Sequence, residues 1–181
     1  MISLRDLISE LGEKKVSEML SSFDSGVNDM DSFIRYHAIS YHKSNVNRVY
    51  VIFKDRTPAA YFSIAVTSIL IDKGTGMDEE LRRTFNIVFG QAKGGYIIGH
   101  IAKTKGAEKG MIDLIIPMAL SAILEAQKVV GGNIVCLDCD SKVLEKKYAA
   151  HGFVAFGSSP DYVGKNFKRM FLALPKERTV E

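Results

Sequence analysis

The sequence predicts a mixed α/β (α+β) fold in a single domain. Three observations predict it. Runs of β-branched and aromatic residues occur in both halves of the chain, helical periods separate them, and a strand, a Lys/Gly loop and a long apolar helix join the halves. The 181 residues are 46% hydrophobic and 25% charged, an ordinary composition that supports one sizeable core without disulfides or a structural metal.

Residues 3–22 place Leu4, Leu7, Ile8, Leu11, Val16, Met19 and Leu20 at a helical period broken at Gly12, so one or two short amphipathic helices are expected. The turn-rich stretch from Asp24 to Met30 leads into a second helical pattern with Phe33, Ile34, Tyr36, Ala38 and Ile39, for which Asp29 or Asp31 is the expected cap. Val49–Phe53 and Ala60–Ile71 read as strands, and the turn Lys54–Pro58 between them predicts an antiparallel pair. After the loop Lys73–Met77, the amphipathic run Asp78–Phe89 reads as a short helix ended by Gly90, and Gly94-Gly95 opens a strand, Tyr96–Ala102. The loop Lys103–Gly110 precedes the helix Met111–Val130, which should kink or restart at Pro117 and is closed by Gly131-Gly132. A strand Asn133–Asp138, a helix Ser141–Ala150 with Gly152 as its exit, and strands Phe153–Phe156 and Phe167–Leu174 follow.

Several classes are excluded on this reading. Arg5, Asp6 and Glu10 interrupt the apolar run that a signal peptide would need, so export is not expected and a cytoplasmic location is. Met111–Leu124, the most apolar stretch, contains Asp113 and is too short to span a bilayer, so no membrane association is expected. Cys136 and Cys139 form a lone C-x-x-C within a strand pattern. Residues three apart on a strand point to opposite faces, so packing is expected rather than a metal site or a disulfide. A net charge of +3 does not by itself imply nucleic acid.

The chemistry concentrates in the central unit. A strand feeding a glycine-containing loop and then a helix N-terminus presents backbone N–H groups and the positive end of the helix dipole, which together favour an anion. Lys103, Lys105 and Lys109 surround it. No Gly-Lys-Ser/Thr closes the loop, so it is neither a Walker loop nor a dinucleotide fingerprint.

Leu144 to Phe153 contains Tyr148, Gly152 and Phe153 in a Tyr-x-x-x-Gly-Phe pattern. With the preceding loop, helix and strand, it resembles the acetyl-CoA-binding half of GNAT acetyltransferases. Phe23–Phe33, Ala38, Arg48–Phe53 and Ala60–Ser63 are similar to the subgroup that includes the aminoacyl-tRNA-acetylating toxins, so the resemblance runs from about Phe23 to Leu174. It implies a bent mixed sheet whose central parallel strands, Tyr96–Ala102 and Asn133–Asp138, splay to admit pantetheine. Residues 1–22 are then an N-terminal helical extension of one acetyltransferase-like domain spanning residues 1–181.

The resemblance also implies site residues. Backbone groups of Ile101, Ala102 and Lys103 would pair with pantetheine, and N–H groups from about Lys105 through Gly106, Lys109, Gly110 and Met111 would cradle the pyrophosphate. Three departures from the family pattern stand out. Ile112 occupies a position usually held by a small residue, Glu108 brings negative charge to the loop, and Ser141 stands where an asparagine is common.

The reaction implied is transfer of acetyl from acetyl-CoA to an amine, without a metal. Tyr148 would act as general acid, because a phenol is protonated at neutral pH and can donate to the departing thiolate. His37, His42, His100 and His151 are the groups that titrate near neutrality, and His100 is the one expected to line the cleft. An α-amine is substantially neutral near physiological pH, so the lack of an evident base leans towards a small-molecule or aminoacyl acceptor, with proton relay through a bound water as the alternative. Arg82, Arg83, Lys142, Lys146, Lys147, Lys165, Lys168 and Arg169 could track tRNA phosphates if they converge, and are otherwise a solvated basic scatter. A homodimer is also compatible with the sequence. The alternative reading is a GNAT domain that binds CoA or a protein partner and regulates without turnover.

Overall fold

The computed structural model describes residues 1–71, 73, 77, 79–158 and 167–175, with residues 156–158 as backbone. Seven strands run β1 (Ile2–Ser3), β2 (Arg48–Lys54), β3 (Thr57–Leu70), β4 (Ala92–Lys103), β5 (Ile134–Cys139), β6 (Val154–Ser158) and β7 (Lys168–Ala173), in the spatial order β1-β2-β3-β4-β5-β7-β6. β4 and β5 are parallel, through Tyr96↔Val135 and Ile97↔Cys136, as the resemblance implied. The pairings β1–β2, β2–β3, β5–β7 and β6–β7 are antiparallel. The chain divides into two compact units, Met1–Ala65 with Ile98–Leu120 and Val66–Ile97 with Ser121–Glu181.

In the first unit the broken helical period becomes α1 (Leu4–Leu11) and α2 (Glu13–Ser21), separated at Gly12. The Ser3 hydroxyl caps α1 by accepting from the Asp6 N–H at 3.1 Å. Leu4, Leu7, Val16 and Leu20 bury their shared face against Phe23, Phe33, Ile34, Val49, Val51 and Tyr61, each large side chain contributing about 1.5–3 kcal/mol.

The second helical pattern is α3 (Asn28–Ser32), a π-helical turn (Phe33–His37) and α4 (Ala38–Lys43). Neither expected aspartate caps it, because Val27 holds the N-cap position. Asp31 is turned inward instead, accepting from the Ser25 N–H at 2.7 Å and the Ser25 hydroxyl at 2.6 Å. β2 and β3 are joined by a two-residue turn at Asp55-Arg56, both with positive φ, the geometry that matches the twist of the flanking strands.

In the second unit β4 begins at Ala92, earlier than expected, so Gly94 and Gly95 lie inside the strand. A Cβ at Gly95 would stand 2.6 Å from the Ile134 carbonyl oxygen, so only glycine allows this approach to β5. The expected helix Asp78–Phe89 is shorter, α5 (Glu79–Thr84), and Asp78 lies outside the described residues. It ends early because Asn86 takes a positive φ while Phe85 and Ile87 turn into a core with Ile69, Ile71, Ile134 and Phe171.

β5 is covered on both faces, since Ile134, Val135, Cys136, Leu137 and Cys139 are all buried. Both cysteines are buried in this strand, in line with a packing role. α6 (Met111–Val130) continues through Pro117 without the expected restart; the proline removes a single N–H from a 20-residue helix. α7 (Lys142–Ala150) completes the helices among the described residues.

Candidate functional site

The loop after β4 lies in the first unit and is tied down at defined points. The Thr104 N–H donates to the Ala59 carbonyl at 2.8 Å and the Lys105 N–H to the Asp24 carbonyl at 2.9 Å, fixing the loop where it leaves the strand. The Ala107 N–H turns back to Thr104 at 3.0 Å, and the Met111 N–H reaches Glu108 at 3.3 Å. Among the described residues, the N–H groups of Gly106, Glu108, Lys109, Gly110 and Ile112 have no protein acceptor. These open donors, interrupted by the bonded N–H groups of Ala107 and Met111, lie at the N-terminus of a 20-residue helix, an arrangement that favours an anion.

The side chains are arranged differently from the sequence reading. Lys103 donates to the Ala107 carbonyl at 3.1 Å, and the Lys105 ammonium sits on the Asp24 carboxylate at 3.0 Å. Of the three loop lysines, Lys109 is the one without a protein partner among the described residues. The negative charge of Glu108 is compensated by an ion pair with Lys54, which holds the Glu108 carboxyl below its ordinary range. Ile101 and Ala102 lie at the end of β4, with Ala102 packed in the core. Met111 opens α6 with its side chain buried and its N–H already used.

His100 is half-buried on β4. Its ring stacks on Phe33, centroids 3.6 Å apart and planes 10° from parallel, and its Nδ1 lies 2.9 Å from the Ser63 hydroxyl. Burial pushes its pKa down to about 4, so the ring is neutral at physiological pH and a weak base. Phe33 also stacks on Tyr61, whose hydroxyl donates to the Met30 carbonyl at 2.8 Å.

In the second unit, Tyr148 is buried on α7 with its ring 6.3 Å from that of Phe153. Burial, with Cys139 and Asp140 adding to it, pushes its hydroxyl up to about 12, so the phenol stays protonated across the physiological range. Ser141 is the N-cap of α7, its hydroxyl accepting from the Leu144 N–H at 3.3 Å.

Four of the eight basic positions considered for tRNA are engaged by carboxylates. Arg82 and Arg83 bond Glu79, Lys168 bonds Glu145, and Arg169 grips Asp138 through two contacts of 2.8 Å. Lys142 and Lys146 have no partner among the described residues, and Lys165 lies outside them. Within the described residues there is no group of three or more His, Cys, Asp or Glu able to hold a metal, and no helix long and apolar enough to cross a membrane. Asp24, Lys54 and Ser63 did not emerge from the sequence, because each acts through a partner distant in the chain.

This architecture is the GNAT fold. Among solved structures the chain is similar to a bacterial toxin, with a TM-score of 0.70 at 16% identity over 86% of this chain and 83% of the other. AtaT complexed with acetyl-methionyl-tRNAfMet gives a TM-score of 0.68 at 16% identity, covering 85% and 86%. A tyrosine-to-phenylalanine mutant of KacT gives 0.66 at 15% identity, again covering 85% and 86%. No protein-family model matches the chain, and no curated protein sequence matches it.

Proposed function

We propose that this chain is an N-acetyltransferase that transfers acetyl from acetyl-CoA to a primary α-amine, carried by a small molecule or an aminoacyl-tRNA. The observation that carries the reading is the set of open N–H groups at Gly106, Glu108, Lys109, Gly110 and Ile112, with the Lys109 side chain beside them, at the entry to α6 of a GNAT fold. Two neighbours add support: AtaTR has been solved with acetyl-CoA bound, and AtaT with acetyl-methionyl-tRNAfMet.

In this reading the neutral amine attacks the thioester carbonyl, a tetrahedral oxyanion forms, the C–S bond breaks, and the amine proton is lost as the sulfur gains one. Tyr148 is the donor to sulfur. Burial holds its hydroxyl protonated, so it is available as a donor. It acts as the general acid, donating its proton to the departing thiolate and regaining one from solvent. His100, neutral and weakly basic, is not needed to deprotonate an α-amine with a pKa near 8.

The test is thiol release from acetyl-CoA in the presence of glycinamide, a lysine peptide, a polyamine and methionyl-tRNA. Release should require an α-amine and fall roughly 100-fold in Tyr148→Phe, with CoA binding retained. Tight CoA binding with no amine-dependent release would replace this reading with the regulatory one. The engagement of Lys103 and Lys105 by protein oxygens is the observation that favours that alternative.

A further inference from the structure

We propose that Asp24 is a positioning residue for the loop 103–110, acting through Lys105, and that Lys105 is a strut rather than a phosphate ligand. The inference rests on the reading of that loop as an acetyl-CoA phosphate cradle. Asp24 holds Lys105 at both ends: its carbonyl accepts the Lys105 N–H at 2.9 Å and its Oδ2 accepts the ammonium at 3.0 Å. Its other oxygen accepts the Gly26 N–H at 3.0 Å, so the carboxylate is oriented by its own turn before it meets the lysine.

The lysine stem between those two contacts lies against Gly26. Gly26 has φ +80, and a Cβ there would stand 2.6 Å from Lys105 Cε. The backbone conformation therefore calls for glycine, and a side chain there would also displace the end of the lysine. The segment carrying Asp24 is itself anchored to the helices beyond it. Ser25 donates twice to the buried Asp31, and the Arg35 Nε–H donates to the Phe23 carbonyl at 2.8 Å. The strut thus runs from the π-helical turn through residues 23–26 to the start of the cradle.

An exposed ion pair of this kind contributes little to global stability. It can still set the fraction of time the loop spends in the binding arrangement, and apparent affinity scales with that fraction. The lysine that remains to meet a phosphate is Lys109.

The experiment compares Asp24→Asn, Lys105→Met and the double variant by amide hydrogen exchange over residues 103–111 of the free protein, and by isothermal titration with acetyl-CoA. Each single variant should speed loop exchange and weaken acetyl-CoA binding by about threefold to tenfold, with the double variant no worse than either single. Asp24→Glu should recover part of the loss. Unchanged loop exchange in Asp24→Asn overturns the proposal. So does tighter binding in Asp24→Asn beside weaker binding in Lys105→Met, which would make Lys105 a phosphate ligand restrained by Asp24. If the unmodified protein does not bind acetyl-CoA, the proposed function fails, while the exchange measurement still decides the strut.

Discussion

His100 lies face to face on Phe33 at 3.6 Å, with its Nδ1 2.9 Å from the Ser63 hydroxyl, and this sandwich holds the ring neutral. With the folded pKa near 4 and the unfolded one near 6.5, the unfolded chain binds more protons between these values. The stabilisation is therefore complete above pH 6.5 and is lost as pH falls toward 4, by about 3 kcal/mol at most. His42, buried and also shifted downward, acts in the same direction. Urea unfolding at pH 7 and pH 4.5 should show the loss, and His100→Phe should reduce it while keeping the stack. An equal loss in that variant would contradict the assignment.

Gly95 and the Ile134 carbonyl approach too closely for any side chain, and both groups are backbone on paired strands. Gly95→Ala should cost about 2 kcal/mol or more, lowering Tm by roughly 5 °C. Gly94→Ala is the control: no heavy atom lies within 4 Å of its Cβ position, and its Tm should stay the same or rise slightly.

The Tyr148 phenol, raised to about 12, should not ionise between pH 6 and 10. The acetylation rate should therefore rise with pH through the pKa of the acceptor amine and then level off. A descending limb near pH 9–10 that disappears in Tyr148→Phe would contradict this.

The ion pair between Lys54 and Glu108 predicts effects of opposite sign on acetyl-CoA binding. If the loop 103–110 holds the pyrophosphate as proposed, Lys54→Ala leaves an uncompensated carboxylate on it and should weaken binding by about twofold to fivefold, whereas Glu108→Gln should strengthen it by a similar factor. Both effects should shrink as salt is added in a titration series. Identical affinities at low salt would show that Glu108 does not sense the bound anion.

Local chemistry in the sequence anticipated much of this fold. The break at Gly12, the hairpin around Asp55 and the buried cysteines each follow from patterns within a few residues, whereas the parallel central strands were implied by the family resemblance. The Asp31 cap failed because the Ser25 side chain and backbone compete for the carboxylate, a contest that helix-start preferences do not describe. α5 ended early because Phe85 and Ile87 gain more from the core than from extending the helix. At the site, the lysines were visible but their partners were not. Lys105 and Asp24 are 81 residues apart, and Lys54 and Glu108 are 54 apart, so only the folded chain shows which charges are already neutralised.

The thiols of Cys136 and Cys139, 1% and 2% exposed, offer a built-in gauge of conformational opening. Burial raises the Cys136 thiol to about 12 and shifts Cys139 upward too, so the folded protein presents almost no thiolate to an alkylating reagent. Reaction with a maleimide then waits for β5 to leave its two covering layers. The labelling rate of the native, untagged chain should report how often its central strand is released.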